Sequence, residues 1–235
     1  MNIAFISDIH GNATALEAVL DDIKQQDIDK IVVLGDLCFR GPEPKKSLDL
    51  IRNLDVPVIK GNADAWVTRG IQDGEVPEKV IGMMREEKDW TVQQLTEDDI
   101  SYLENLPEHV TETIGEKKVY GFHATPDSLF DVVTPDTSDE DLKKAIMEKE
   151  EADIYLYGHI HKPYVRHIDG KIVANLGSVG LPFDGEAKAS YLIVSENSTS
   201  IRKVSYDIDH AVQKLEDYGY PQGGLVADVY HTGKL

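Results

Sequence analysis

The chain has 235 residues, a length that fits one large domain or one domain with an inserted subregion. Its 24 basic and 43 acidic residues give a formal net charge of −19, which disfavours a nucleic-acid polymer as a partner but permits a small phosphorylated molecule. The apolar runs are too short to span a membrane, and the single cysteine, Cys38, excludes an intrachain disulfide framework. Because the N-terminus does not resemble a signal peptide, we expect a cytoplasmic protein without a membrane partner.

Strand-like apolar runs and helix-like patterns alternate over the first 60 residues. This order favours right-handed βαβ units and a largely parallel sheet. We predict Asn12 as the N-cap of the first helix. The predicted strands are 3–7, 31–34 and 56–59, and the predicted helices are centred on 16–23 and 47–51.

Residues 64–107 differ from the segment before them. They carry both tryptophans and two helical patterns, over 80–95 and 98–106, but none of the metal-ligand motifs described below. We predict a helical insertion there, within a single domain of residues 1–235. Two roles are equally compatible with the pattern: a cover over a pocket, or a packing element that does not contact substrate.

From about residue 109 the pattern is that of successive short strands. A charged helical stretch over 139–149 interrupts them, and Asp169-Gly170 is predicted as a hairpin turn. We therefore expect two sheets with helices outside them. The glycine-rich tail from Gly219 carries no functional motif. The predicted strands are 110–114, 118–122, 154–157, 164–168, 171–174, 190–194 and 201–205.

Side chains that can bind metals follow the ends of several of these strands. Ligands of parallel sheets bind beyond the carboxyl ends of the strands, so we expect Asp8, Asp36 and Asn62 to share one site. His10 lies two residues after Asp8, a spacing that in a strand directs both side chains to one side. Taken singly, each motif also fits a turn or a helix cap. The complete candidate set is Asp8, His10, Asp36, Asn62, His123, His159 and His161.

Seven ligands of this kind are enough for two divalent ions. Asp36 is the candidate bridge, because a carboxylate can bind two ions at once. A mixture of carboxylate, amide and imidazole ligands suits Mn²⁺, Fe or Zn²⁺, and Ni²⁺ is also compatible; we expect Mn²⁺. We expect Gly158 to permit a sharp turn before His159. The other four histidines, His109, His167, His210 and His231, are predicted to be surface residues.

The ordered motifs Asp-x-His, Gly-Asp, Gly-Asn, His and Gly-His-x-His resemble those of the calcineurin-like metallophosphoesterases. The resemblance covers nearly the whole chain and is closest to a small bacterial and archaeal phosphodiesterase-like branch. Residues 175–180, Asn-Leu-Gly-Ser-Val-Gly, resemble the Asn-Pro-Gly-Ser-Val-Gly segment of that branch. The family has an α/β fold, a four-layer αββα sandwich of two mixed sheets, which agrees with the strand predictions above.

The resemblance also implies roles for individual residues. A hydroxide held between two metals would attack phosphorus in line, with Asp36 as the bridging ligand. The implied ligands are Asp8, His10 and His161 for one ion, and Asn62, His123 and His159 for the other. The candidate catalytic residues are Asp36 and Asp64, and the candidate substrate contacts are Arg40 and Asn62.

Three positions qualify the resemblance. Arg40 lies in a Gly-Asp-x-x-x-Arg-Gly segment like that of phosphoprotein phosphatases, where it is either a phosphate clamp or a partner in a surface ion pair. Ala63 stands where many relatives have a histidine that protonates the leaving group, which leaves Asp64 as a residue that orients a ligand. Phe183 stands where many relatives have arginine, a change that we expect to alter substrate preference.

We therefore expect hydrolysis of a phosphate ester or phosphoanhydride in a small metabolite or nucleotide. Because Ala63 cannot donate a proton, a good leaving group is favoured, as in an activated phosphodiester or a dinucleoside polyphosphate. Two alternatives are a metal-binding scaffold on the same fold and a serine/threonine protein phosphatase. The phosphatase is disfavoured by the acidic chain and by Phe39, where those relatives have aspartate.

Overall fold

Nine strands form two mixed sheets in the computed structural model, which describes residues 1–235. The four-stranded sheet has the order β2-β1-β8-β9, and only β1 and β2 pair in parallel. The expectation of a largely parallel sheet is therefore wrong, because β8 and β9 from the second half of the chain join this sheet antiparallel. The five-stranded sheet has the order β3-β4-β5-β7-β6, in which β4, β5 and β7 are parallel. The strands are β1 (Asn2–Ile6), β2 (Lys30–Val33), β3 (His109–Ile114), β4 (Lys117–Phe122), β5 (Ile154–Tyr157), β6 (Tyr164–Ile168), β7 (Lys171–Asn175), β8 (Ala189–Ser195) and β9 (Thr199–Val204).

Eight α-helices accompany these strands. The sixth is short and continues as a π-helical turn over Lys143–Met147. No helix is both long and apolar enough to cross a membrane. The helices are α1 (Ala13–Lys24), α2 (Pro44–Arg52), α3 (Asn62–Arg69), α4 (Glu78–Gln93), α5 (Glu97–Glu104), α6 (Asp139–Leu142), α7 (Ile208–Asp217) and α8 (Gly223–Thr232).

The alternation of side chains along β1 explains how the layers pack. Ile3 and Phe5 point to one face and join a buried cluster with Leu156 of β5, so this cluster lies between the two sheets. Ala4 and Ile6 point to the other face and join a second cluster with residues of α1 and α2. A third cluster covers the outer face of the five-stranded sheet. The predicted α/β fold of four layers, αββα, is confirmed.

The first helix forms as its sequence predicts. Leu16, Val19 and Ile23 recur at helical spacing and are buried against the four-stranded sheet. The Asn12 side chain accepts a hydrogen bond from the backbone N–H of Ala15 at 3.0 Å, which confirms Asn12 as the N-cap.

The segment 56–59, predicted as a third strand, forms only an isolated bridge between Val58 and Val33. Pro57 has no backbone N–H to donate, and its carbonyl accepts from Val33. The segment is extended beside β2 but does not form a ladder. The helical prediction over 139–149 is also too long, because the last helical residue is Met147.

Three helices were not predicted from the sequence: α3, α7 and α8. Helix α3 begins at Asn62, inside a Gly-Asn pair that is typical of turns. Helix α8 begins with Gly223-Gly224, which have low helix propensity. Packing between α7 and α8 stabilises it, since Leu215 and Tyr230 are buried in one cluster.

The region predicted as an insertion contains α4, α5 and all of α3 except its first two residues. Trp66, Met84 and Leu103 from these helices are buried in the same cluster as α1 and α2. These helices therefore pack on the core, and a role as a cover over a pocket stays a prediction. The boundary of an insertion, and its origin as one, stay predictions.

Candidate metal centre

The seven candidate ligands come from loops at the carboxyl ends of four strands and from the first residue of α3. Asp8 and His10 follow β1, Asp36 follows β2, His123 follows β4, and the pair of histidines at 159 and 161 follows β5. Because β1 and β2 belong to one sheet while β4 and β5 belong to the other, the site lies where the two sheets meet. All seven side chains are buried except that of His159, which is half-buried.

Four of these residues form a first group. Asp8, His10, Asp36 and His161 each offer one donor atom, and these atoms lie within 4.8 Å of one another. Nε2 of His161 is 3.2 Å from Oδ1 of Asp8, and Nε2 of His10 is 3.5 Å from Oδ2 of Asp36. The group has the composition of a site for a divalent transition metal.

The remaining ligands form a second group around Asn62. Oδ1 of Asn62 is 2.8 Å from Nε2 of His123 and 2.9 Å from Nδ1 of His159. Oδ2 of Asp36 is also 3.3 Å from Nε2 of His123. The same carboxylate oxygen therefore faces both groups, which is the geometry a bridging ligand requires.

Backbone carbonyls orient three of the histidines. Nδ1 of His10 is 2.7 Å from the carbonyl of Phe39, and Nδ1 of His161 is 2.5 Å from that of Leu181. Nδ1 of His123 is likewise 2.7 Å from the carbonyl of Leu34. A carbonyl only accepts, so each Nδ1 carries a proton, and in the neutral ring Nε2 then carries a lone pair directed into the site.

The contact between His10 and His161 indicates whether the site fits a metal. Their two Nε2 atoms are 3.1 Å apart, and in the neutral rings both carry lone pairs. Two acceptors at this distance repel unless a proton or a metal ion lies between or beside them. The donor set therefore fits a bound divalent ion, with Asp8 and Asp36 supplying negative charge beside it.

The charges of most of these groups agree with this fit, and His123 is the exception. Burial opposes ionisation of Asp36, but nearby His123 holds the pKa of the carboxyl well below its usual range. Burial also lowers the pKa of His123, yet Asp36 outweighs this and raises it to about 10. Burial and the neighbouring His161 lower the pKa of His10 to about 4, and burial and His123 do the same for His159. Anionic carboxylates and neutral imidazoles are the forms that bind metals, so His10 and His159 have the required form, whereas His123 would lose a proton when a metal binds.

The ligand loops adopt an uncommon backbone conformation. Five of the seven candidate ligands have positive φ angles between 48° and 67°. Residues other than glycine rarely adopt this region, and such residues cluster at functional sites. The five are Asp8, His10, Asp36, His159 and His161.

Asp8 and His10 lie close together as predicted, but the predicted reason, the alternation of side chains along a strand, is wrong. Strand β1 ends at Ile6, and both residues lie in a turn beyond it. Hydrogen bonds to the loop after β2 hold this turn: the N–H of Asp8 donates to Gly35, and that of His10 to Asp36. His159 and His161 likewise follow the end of β5 at Tyr157.

Gly158 is required for its small size and not for a sharp turn, since its φ is not positive. A Cβ atom there would lie 2.3 Å from Oγ of Ser7 and 2.5 Å from Oδ2 of Asp8. The loop after β5 therefore approaches the loop after β1 so closely that only glycine fits.

Segment 175–180, which resembles a motif of the phosphodiesterase-like branch, joins the same two loops. Oγ of Ser178 donates to the carbonyl of Asp8 at 2.7 Å, and Nδ2 of Asn175 donates to the carbonyl of Gly158 at 2.5 Å. Both side chains are fully buried. They position ligand loops and do not enter the site as ligands themselves.

Asp64 lies beneath the site, and its carboxylate oxygens accept three backbone N–H groups. These come from Asp36 at 2.8 Å, Leu37 at 2.9 Å and Gly61 at 2.9 Å. Burial and the charge of Asp36 raise the pKa of Asp64 to about 7, while the three donors act in the opposite direction. This geometry supports a positioning role for Asp64, since both of its oxygens are already engaged.

Arg40 contacts a buried carboxylate. Its Nε atom is 3.7 Å from Oε2 of Glu87 in α4, whose side chain is 1% exposed and accepts a second contact from the hydroxyl of Tyr220. The expected surface ion pair is therefore one with a buried carboxylate, but at 3.7 Å it leaves Nε of Arg40 and Oε2 of Glu87 without a hydrogen bond. Its role as a phosphate clamp stays a prediction.

The sequence did not indicate the carbonyls of Leu34, Phe39 and Leu181. Every residue has a carbonyl, so no residue type marks these three. Of the four histidines predicted to be surface residues, three are exposed, and His109 is half-buried with Nε2 2.8 Å from the carbonyl of Pro126.

Comparison with known proteins agrees with this site. The sequence model of the calcineurin-like phosphoesterase superfamily domain matches residues 1–199. The chain belongs to this superfamily, and the expected class of enzyme, a metal-dependent phosphoesterase, is confirmed. The family implies divalent metal ions, which the cluster around Asp36 fits.

Three similar proteins extend over nearly the whole chain. The uncharacterized protein MJ0912 of Methanocaldococcus jannaschii is 34% identical, and the match covers 94% of each chain. The crystal structure of a metallophosphoesterase from Sphaerobacter thermophilus has 24% identity and a TM-score of 0.80, covering 99% of each chain. Hypothetical protein PH1004 from Pyrococcus horikoshii OT3 has 23% identity and a TM-score of 0.87, covering 100% of this chain and 99% of its own. The two structures show that the fold is shared.

Replacing Gly158 with alanine tests the close approach of the two ligand loops. We expect Gly158→Ala to lower the free energy of unfolding by about 1–3 kcal/mol and to weaken metal binding, because the added methyl group displaces the Asp8 carboxylate. Gly82→Ala is the matched control, since Gly82 lies in α4 with no atom within 4 Å of the added Cβ, and should stabilise by about 0.5–1 kcal/mol. Urea unfolding measures the stability of each variant, and metal titration measures its metal affinity. Equal effects of Gly158→Ala and Gly82→Ala would contradict the packing argument.

Asp64→Asn tests whether this carboxylate positions Asp36. An amide offers one acceptor in place of two and directs its own N–H groups at backbone donors, so we expect a loss of about 2–4 kcal/mol in stability. The affinity for Mn²⁺ should fall as well, because the backbone of Asp36 loses its support. Unchanged urea midpoint and Mn²⁺ affinity would show that the three N–H contacts contribute nothing.

Proposed function

We propose that this protein is a dinuclear metal-dependent hydrolase of phosphoester or phosphoanhydride bonds in small metabolites or nucleotides. One observation carries the proposal: Oδ2 of Asp36 lies 3.5 Å from Nε2 of His10 and 3.3 Å from Nε2 of His123. Asp36 is therefore the candidate bridge between two ions, with Asp8, His10 and His161 as ligands of one and Asn62, His123 and His159 as ligands of the other. We expect Mn²⁺ as the native ion and a cytoplasmic location for the protein.

The chain's own residues would prepare the site in three ways. The Leu34, Phe39 and Leu181 carbonyls hold three imidazoles in the metal-binding tautomer. Burial of Asp8 and Asp36 keeps competing water away from the carboxylates. When bound, the two ions would neutralise charge on phosphoryl oxygens and provide a water-derived nucleophile.

The leaving group is the basis for choosing among substrates. Ala63 is fully buried, and its N–H donates to Oδ1 of Asp36 at 2.8 Å. Its methyl group cannot transfer a proton, and the oxygens of Asp64 are engaged with the backbone. A leaving group that departs as a stable anion is therefore favoured, which supports a phosphodiesterase with activated substrates or a dinucleoside polyphosphate hydrolase.

The two alternative functions have less support. A scaffold does not require seven candidate metal ligands that face one another, and this chain has all seven, six of them buried. The protein phosphatase alternative depends on Arg40 as a phosphate clamp. Nε of Arg40 instead lies 3.7 Å from Oε2 of Glu87. We therefore propose the small-molecule hydrolase alone.

The proposal is tested by refilling metal-stripped protein with Mn²⁺, Fe²⁺, Zn²⁺ or Mg²⁺ and assaying a substrate panel. The panel contains para-nitrophenyl phosphate, bis-para-nitrophenyl phosphate, cyclic nucleotides and diadenosine tetraphosphate. We expect turnover that depends on the added ion, highest with Mn²⁺, and fastest with substrates whose leaving group needs no proton. Absence of turnover with every ion, despite metal binding, would favour the scaffold.

Asp36→Asn tests the bridging role. The amide is neutral and binds metals less well, so we expect kcat to fall by at least about a hundredfold and bound metal to fall below two ions per chain. Asp73→Asn is the matched control, because it removes the same charge from a side chain that is 96% exposed. Retained turnover in Asp36→Asn, with the control also active, would refute Asp36 as the bridge.

A further inference from the structure

A cleft of about 610 Å³ opens beside the metal centre. His159, the half-exposed member of the candidate ligand set, lines it, so the cleft begins where the metal ligands end. Its other walls come from distant parts of the chain. We call it the lysine cleft; the residues that define it are Val132, His159, Ile160, Lys162, Phe183 and Lys234.

The two lysines of this cleft have no partners within the protein. Of the 24 basic residues, 20 have side chains that form an ion pair or a hydrogen bond, in keeping with the large excess of carboxylates. The exceptions are Lys79, Lys162, Lys188 and Lys234. Two of these four unpartnered cations line the same cleft, next to the metal centre.

None of the eight residues that line the lysine cleft, Thr134 and Leu235 included, has an acidic side chain. Asp136 lies close by, since it accepts a hydrogen bond from Thr134, and this bond and the charge of Lys162 lower its pKa. Four other surface clefts, of about 330–650 Å³, each include at least one aspartate or glutamate. In a chain with 43 acidic residues, a cleft with two lysines and no carboxylate side chain has a distinct local potential. Such a cleft attracts anions to the side of the metal centre on which His159 is accessible.

The segment that carries Lys234 is held against the protein. The carbonyl of Gly233 accepts a hydrogen bond from the N–H of Gly185 at 2.8 Å. Gly233 has a φ of +63°, and a Cβ atom there would lie 2.6 Å from the backbone of Glu186. The contact fixes the position of Lys234 beside the loop that carries Phe183.

Apolar side chains form the rest of the cleft. The Phe183 ring stacks on the ring of His161 with centroids 4.3 Å apart and an interplanar angle of 13°, and it also lines the cleft. Ile160 and Val132 line it as well, and the Val132 side chain is 68% exposed. An aromatic ring and aliphatic side chains beside two cations suit a ligand that has both a flat apolar part and phosphate groups.

From these observations we propose that the lysine cleft binds the nucleoside phosphate portion of the substrate. Lys162 and Lys234 bind its phosphate oxygens, and the apolar wall formed by Phe183, Ile160 and Val132 contacts its base. This assignment rests on the proposed function, since it places the remainder of a cleavable nucleotide next to the ions. It makes a nucleotide phosphoanhydride or phosphodiester the substrate class.

The test measures binding of α,β-methylene-ADP to the Mn²⁺-supplemented full chain by calorimetry. We expect the double variant Lys162→Ala/Lys234→Ala to raise Kd by about tenfold or more, because two charge-assisted contacts to phosphate are lost. Lys79→Ala/Lys188→Ala is the matched control, which removes two positive charges from the other unpartnered lysines and should leave Kd unchanged. Methylenediphosphonate, which lacks the nucleoside, should bind about tenfold more weakly than the nucleotide.

Three results would overturn the assignment: no binding of the nucleotide, an equal effect of both double variants, or equal affinity for methylenediphosphonate. Turnover of bis-para-nitrophenyl phosphate separates this failure from failure of the proposed function. A protein that hydrolyses this diester but does not bind the nucleotide refutes the cleft assignment alone. A protein that binds the nucleotide through the two lysines but hydrolyses no phosphoester refutes the proposed function alone.

Discussion

The convergence of hydrogen-bond acceptors on one buried point is the constraint on which the rest of this structure depends. Two carboxylates, an amide oxygen and several imidazole lone pairs face one another there, and Nε2 of His10 lies 3.1 Å from Nε2 of His161. Without a cation, such an arrangement is repulsive and costly to bury. A divalent ion reverses the sign of these interactions, because every group that faces the centre is then a ligand.

Much of the fold serves to hold this convergence in place. The two sheets meet so that the loops after β1 and β2 face those after β4 and β5. Five candidate ligands have positive φ angles, a conformation that the chain would not adopt without support. The support consists of hydrogen bonds between loops, among them the contact of Ser178 with the Asp8 carbonyl and those of Asp64 with three N–H groups.

The sequence was sufficient for the nine strands, the four layers and the order of the candidate ligands, because strand patterns and residue types carry that information directly. It was not sufficient for the assignment of strands to sheets, since β8 and β9 pair antiparallel in the sheet of β1 and β2. It was not sufficient where tertiary contacts decide the outcome. Helix α8 begins with two glycines and forms because Val226 and Tyr230 pack against α7. The requirement for Gly158 comes from a neighbouring loop, and the position of Lys234 beside Phe183 depends on a contact between Gly185 and Gly233. No local pattern of residues encodes such contacts.

The most direct test of the central claim is a crystal structure of the Mn²⁺-loaded protein with anomalous diffraction data collected at the manganese absorption edge. The account predicts two anomalous peaks about 3.5–4 Å apart, with the Asp36 carboxylate between them. The peak on one side should contact Asp8, His10 and His161, and the other should contact Asn62, His123 and His159. A single peak, or two peaks that do not share Asp36, would contradict the dinuclear centre on which the proposed chemistry depends.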